Sequence, residues 1–153
     1  MSNSAADFQP PGEPPVFRAL LDQVRAFIYT TDRNGYYTYA NRMVLDLLGG
    51  HPLEAVLGKD IGQFFDLGDD TSLRETDRRV LQDGETVARE ETNLIRATGE
   101  LRTYWSVKEP LRDATGAITG MLGISYDITE NKRLADEVRK QKALLDTILD
   151  NID

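Results

Sequence analysis

The stretch YWSVKEPLRDATGAITGMLGISYDITE, residues 104–130, holds two apolar-rich runs separated by Asp113-Ala114-Thr115-Gly116. Aromatic and β-branched side chains favour extended backbone, and an Asp-led tetrapeptide ending in Gly favours a tight turn. The pattern predicts a long strand over Leu101 to Arg112 and a last strand over Ala117 to Ile128. Gly120 and Gly123 weaken the second strand but let backbone or ligand approach closely. It ends in Asp127-Ile128-Thr129, and a charged helical run starts at Glu130.

The preceding residues extend the pattern. Val87 to Ile95 reads as a strand, joined to the next by the turn Ala97-Thr98-Gly99-Glu100. Thr71 to Gln82 reads as a helix stopped by Gly84. Further upstream, Ala26 to Thr31 and Tyr36 to Ala40 are short strands around Asp32-Arg33-Asn34-Gly35, where Asn-Gly is a strong hairpin signal. Asn41 caps a helix over Arg42 to Leu48 that stops at Gly49-Gly50. Pro52 to Leu57 and Ile61 to Asp66 read as two more short helices. Phe17, Leu20, Leu21 and Val24 recur at helical spacing. Residues 1–15, small, polar and Pro-rich, read as a disordered tail.

Two strands, short helices and three strands make an α+β fold with a five-stranded antiparallel sheet. The expected organisation is a tail over 1–15, a flanking helix over 16–25, a folded domain over 26–129 and a C-terminal helix over 130–153. In that last helix Leu134, Val138, Gln141, Leu145, Ile148 and Ile152 step alternately by four and three, a heptad seam. The seam predicts a dimeric coiled coil in which Gln141 sets register or helix number. A helix folded back on its own domain is the other reading. Ala19-Leu20-Leu21-Asp22 recurs as Ala143-Leu144-Leu145-Asp146, as if a further domain followed.

Composition narrows the function. The formal charge is −8, and an acidic chain without a basic patch predicts no nucleic-acid partner. The absence of cysteine removes disulfides, thiol catalysis and Cys-ligated zinc. No run reaches the roughly 20 apolar residues of a membrane span, so no membrane contact and a cytoplasmic location are expected. Glu90 and Glu91 are adjacent on a strand and face opposite ways, so they form no acid/base pair. No nucleophile motif or phosphate loop is present, and no enzymatic activity is expected of this segment.

The order of its motifs resembles the PAS domain, a sensory module of bacterial signalling proteins. The matching residues are Thr31-Asp32-x-Asn34-Gly35, Tyr39-Ala40-Asn41, Leu57-Gly58-Lys59, Pro110-Leu111-Arg112-Asp113, and Gly123-Ile124-Ser125-Tyr126-Asp127-Ile128-Thr129-Glu130. The resemblance covers about residues 26–130. It implies a PAS-type sheet cupping a pocket against short helices on one face. It also implies homodimers through the flanking helices and outer sheet face, and outputs such as histidine kinases or diguanylate cyclases. Asp127 and Thr129 fall at its signal junction.

Alternation splits these strands into two rows, and hydrophobicity alone would turn Trp105, Val107, Leu111, Leu122, Ile124 and Ile128 inward. Alignment with flavin-binding relatives turns Tyr104, Ser106, Lys108, Met121, Gly123 and Ser125 inward instead, and that is the orientation expected. It leaves Trp105, Leu122, Ile124 and Tyr126 outside, to be covered by the Phe17–Val24 helix or a partner subunit. The implied pocket then comprises Tyr29, Thr31, Tyr39, Val44, Leu47, Phe64, Thr92, Leu94, Tyr104, Ser106, Lys108, Met121 and Ser125. A buried Lys108 must pair or lose its proton; pairing with Glu90 is favoured over anchoring an anionic ligand. By the resemblance, Ile61 stands where a flavin-adduct cysteine would be, and Leu94 and Tyr104 where flavin-ring amides would be. FAD is therefore disfavoured, and so is haem, because the one histidine, His51, lies in a loop. A small-molecule sensor relaying through a dimeric C-terminal helix is the leading function. A ligand-free dimerisation and relay module is the alternative.

Overall fold

A computed structural model of the chain describes residues 15–66 and 72–152. The element order is α1 (Pro15–Gln23), β1 (Phe27–Asp32), β2 (Tyr37–Ala40), α2 (Arg42–Leu47), α3 (Leu53–Val56), a 3-10 turn (Ile61–Gln63) and β3 (Phe65–Asp66). Then follow α4 (Ser72–Asp83), β4 (Val87–Ile95), β5 (Leu101–Arg112), β6 (Ile118–Asp127) and α5 (Thr129–Asp150). The tail expected over residues 1–15 lies outside the described residues except for Pro15, where α1 begins.

The sheet order is β2-β1-β6-β5-β4-β3, and every pairing is antiparallel. Five strands carry the sheet; β3 is a two-residue edge strand. The short helix expected over Ile61 to Asp66 is therefore a 3-10 turn followed by β3, with Phe65 opposite Ile95 and Asp66 opposite Leu94. The open edge of β4 offers ladder partners that draw Phe65 and Asp66 into the sheet.

The first and last strands meet at the sheet centre, Phe27 opposite Ser125 and Asp32 opposite Gly120. Gly120 is needed there: a Cβ would lie 2.0 Å from the Thr31 carbonyl oxygen. The core between sheet and helices contains Tyr37, Val44, Val56, Val80, Ile95 and Met121. Asn41, fully buried, ties three elements together. Its Oδ1 accepts from the Ile28 and Val44 backbone N–H groups, capping α2, and its Nδ2 donates to the Leu21 and Ala26 carbonyls. Asp22 accepts from the Arg42 backbone N–H at 2.8 Å, fixing α1 against α2.

The outer face keeps Trp105 43% exposed and Tyr126 similarly open. Phe17 and Leu20 of α1, and Val24 just after it, are themselves exposed, so α1 does not close over that face. No residue of α5 is buried, and Leu134, Val138, Gln141, Leu145, Ile148 and Ile152 all face solvent in the single chain. The helix does not fold back on its own domain. Leu144 and Leu149, also exposed, widen the apolar stripe. Among the described residues, no helix is long and apolar enough to cross a membrane.

Candidate functional site: a cavity between sheet and helices

Side chains alternate across a strand, so register decides which of them face the helices. On β5 and β6 the inward row is Tyr104, Ser106, Lys108, Met121, Gly123 and Ser125, all buried or half-buried. Antiparallel partners share a face. Glu91 lies opposite Tyr104, Arg89 opposite Ser106 and Val87 opposite Lys108. The inward residues of β4 are thus Val87, Arg89, Glu91, Asn93 and Ile95.

Thr92 and Leu94, expected in the pocket, therefore stand on the outer face. Thr92 is exposed and its hydroxyl meets that of Thr103 at 3.0 Å. Tyr39 is corrected for a different reason. Tyr37 pairs with Thr31 but Tyr39 pairs with Thr30. The extra residue, Thr38, is a β-bulge that reverses the alternation. Tyr37 faces in, and Tyr39 shares the outward row of Thr30.

A cavity of about 40 Å³ lies under this surface, lined by Phe27, Tyr29, Tyr37, Val44, Leu47, Glu91, Asn93, Tyr104, Ser106 and Ser125. Tyr29, Val44, Leu47, Tyr104, Ser106 and Ser125 thus come together. Thr31 and Met121 are buried beside them without lining the cavity, and Phe64 packs edge-on against Tyr37 with centroids 6.0 Å apart. Phe27, Tyr37, Glu91 and Asn93 are lining residues that the sequence reading missed. Edge-to-face pairs hold the walls: Phe27 with Tyr104 at 5.5 Å and Tyr29 with Tyr37 at 5.7 Å. The volume admits a few water-sized groups, far below the roughly 300–1,000 Å³ of drug-sized sites. Neither a flavin nor a haem fits it as it stands.

Lys108 does not line the cavity. Its side chain is 1% exposed, and its Nζ lies 2.8 Å from Asp77 Oδ1 and 3.1 Å from Glu91 Oε1. The expected pairing with Glu90 is corrected: Glu90 faces outward and pairs with Lys132 of α5 at 2.7 Å. Asp77 comes from α4, 31 residues away in sequence. Burial raises its carboxyl above the ordinary value, with Lys108 pulling the other way.

Three buried oxygens at or beside the cavity lack a hydrogen-bond partner: Thr31 Oγ1, Glu91 Oε1 and Tyr104 Oη. The Lys108 ammonium lies within ionic reach of Glu91 Oε1 but outside hydrogen-bonding geometry. Burial pushes the Tyr104 phenol up to about 12, with Asp127 adding to the rise. Burial likewise raises Tyr29, with Asp77 and Glu91 adding to it. Both phenols stay neutral at physiological pH and keep a proton to donate. Ser106 and Ser125 satisfy each other at 2.8 Å.

Gly123 shapes the cavity through Tyr29. A Cβ at Gly123 would come within 2.3–2.6 Å of the Tyr29 ring and hydroxyl. Gly123→Ala is expected to swing that ring into the cavity and cost roughly 1–3 kcal/mol, measured by urea denaturation.

At the far end of β6, Asp127 Oδ1 accepts from the Thr129 N–H at 3.0 Å and Oδ2 pairs with Arg102 at 2.7 Å. Thr129 is the first residue of α5, and Ile128 stands at the N-cap. Its hydroxyl accepts from the Thr103 N–H at 2.9 Å and lies 3.3 Å from the Thr103 carbonyl. Burial works to raise the Asp127 carboxyl. The Thr129 and Arg102 hydrogen bonds outweigh it and hold the group below its ordinary value. A depressed carboxyl contributes stability above its unfolded value, about 3.9, and loses it as pH falls through the folded value. The start of α5 is expected to keep its amide protection down to about pH 4 and to lose it below. Uniform protection to lower pH would remove Asp127 from the joint. His51 is exposed, tilted against Phe64, and the described residues contain no cluster of metal-ligating side chains.

The family described as the PAS fold matches residues 21–133. A diguanylate cyclase of Vibrio cholerae is 29% identical over 120 residues, 78% of this chain and 37% of that protein. The methanogenesis regulatory histidine kinase FilI of Methanothrix harundinacea is 34% identical over 129 residues, 84% of this chain and 14% of the kinase. The chain thus spans a minority of the curated relatives it matches. Among solved structures, the VqmA–ligand–DNA complex of Vibrio cholerae superposes with a TM-score of 0.66 at 21% identity, covering 78% of this chain and 53% of that one. That likeness overturns the exclusion of nucleic acid drawn from net charge, because the same fold serves a protein that binds DNA. The charge of one domain sets its own field, not that of the assembly it belongs to. The match over residues 21–133 and the antiparallel sheet that cups the cavity agree: this chain belongs to the PAS family of sensory domains.

Proposed function

We propose that the chain is a sensor module of a signalling protein. A small molecule enters the cavity and changes how the sheet holds α5. The observation that carries this reading is the pair Glu91 and Tyr104, opposite each other on β4 and β5, each with a buried oxygen lacking a hydrogen-bond partner. Buried polar atoms are normally satisfied, so these two invite a ligand or ordered water. Their chain neighbours face the other side of the sheet and grip α5: Glu90 through Lys132, and Thr103 through Thr129. A ligand that repositions Glu91 or Tyr104 moves the backbone on which those grips sit.

In this reading α5 pairs with the α5 of a second copy along its exposed seam, and a small rotation passes through the pair. The output domain is of the cyclase or histidine-kinase type, and the sensor itself performs no catalysis. The small cavity favours a second reading, in which side chains fill the space and the domain only relays motion between neighbours.

Amide hydrogen exchange at residues 128–133 discriminates the two. Protein as purified is compared with protein that has been unfolded, washed and refolded. The sensor reading predicts altered protection at the start of α5 after washing; identical protection favours the ligand-free relay. Thr129→Val is expected to speed exchange there about fivefold, for one lost hydrogen bond of about 1 kcal/mol, and to leave the central strands unchanged.

A further inference from the structure

Resting on the sensor reading, we propose that the cavity selects a compact, positively charged nitrogen compound, an alkylammonium, guanidinium or imidazolium of a few heavy atoms, held by the Glu91 carboxylate. Lys108 is the ammonium inside the domain, and it is shared between two carboxylates, Asp77 at 2.8 Å and Glu91 at 3.1 Å. One positive and two negative charges leave these three groups one negative charge in excess, and the Arg89 guanidinium on the same inward row donates instead to Thr76 Oγ1 and the Glu90 carbonyl. Of the three groups, Glu91 is the one that lines the cavity. It is only 7% exposed, and its Oε1 has no hydrogen-bond partner.

A carboxylate oxygen accepts hydrogen bonds and donates none. An anion or an acceptor-only ligand would meet repulsion at that point. A neutral donor would satisfy the oxygen but leave the charge uncompensated. A cationic N–H satisfies both in one charge-assisted bond. Around Glu91, Tyr104 Oη offers a second unpartnered polar atom, and the rings of Phe27, Tyr29 and Tyr37 line the remaining wall. Aromatic faces attract cations. The volume of about 40 Å³ limits the ligand to a few heavy atoms unless the walls move.

The test titrates the full chain with methylammonium, guanidinium and imidazolium chlorides, and with urea, formate and acetate, at constant ionic strength. The chemical shifts of the Tyr29 and Tyr104 rings report on the cavity. The expected result is a saturable shift for at least one cation, no saturable shift for formate or acetate, and about tenfold weaker cation binding in Glu91→Gln, the scale of one charge-assisted hydrogen bond. The probe pattern on the unsubstituted chain decides the matter even where Glu91→Gln fails to fold. Saturable binding of formate, acetate or urea in preference to the cations overturns the cation class and leaves the sensor reading standing. No saturable shift from any probe overturns the cation class; whether the sensor reading falls as well is decided separately by the washing experiment.

Discussion

Lys108→Met is expected to cost about 3–5 kcal/mol, a large share of a total stability of the order of 5–15 kcal/mol. The methionine itself fits, being unbranched and apolar. The cost comes from what remains. Asp77 and Glu91 lose the ammonium that both face, and two carboxylates stay in one poorly solvated place. Breaking a buried ion pair from one side is far more damaging than replacing all of it. The triple variant Lys108→Met, Asp77→Leu, Glu91→Leu is therefore expected to recover much of the loss. Urea denaturation of the three proteins, unsubstituted, single and triple, measures both effects. A single variant as stable as the original chain would mean that the ammonium is not what holds those carboxylates in place.

Leu145→Asp with Ile148→Asp is expected to convert a dimer into a monomer, weakening association by at least a thousandfold. Each buried Leu or Ile contributes roughly 2 kcal/mol, and a symmetric pair loses four of them. Both residues are exposed in the single chain, on a helix with no buried residue. The folded domain should consequently keep its stability while sedimentation velocity reports the lower mass. A dimer that persists undiminished would place the contact elsewhere.

Much of the fold was legible because its signals are local. Asn34-Gly35 marks the first hairpin, with Gly35 at φ 85°, and β4 and β5 run over the residues that alternation assigned to them. The site was legible only where one face of a strand differs from the other. On β5 and β6 the resemblance chose the inward row, against the pull of Trp105 and Ile124. On β4 no such contrast exists. Arg89, Glu91 and Asn93 on one face oppose Glu90 and Thr92 on the other, and a slip of one residue exchanges the faces. That slip put Thr92 and Leu94 in the pocket and gave Lys108 the wrong glutamate. The bulge at Thr38 is invisible to a period-two reading, which puts Tyr39 on the same face as Tyr37. Asp77 could not be found as a partner at all, because only the packing of α4 on the sheet brings it to Lys108.

The central claim is that the cavity binds a small molecule, and a non-denaturing mass spectrum of the freshly purified chain tests it most directly. The account predicts a dimer heavier than two polypeptides by the mass of a small bound compound, with the excess lost in Glu91→Gln. A dimer at the bare polypeptide mass, unchanged when cell extract is added back before measurement, would contradict the sensor reading and leave the ligand-free relay.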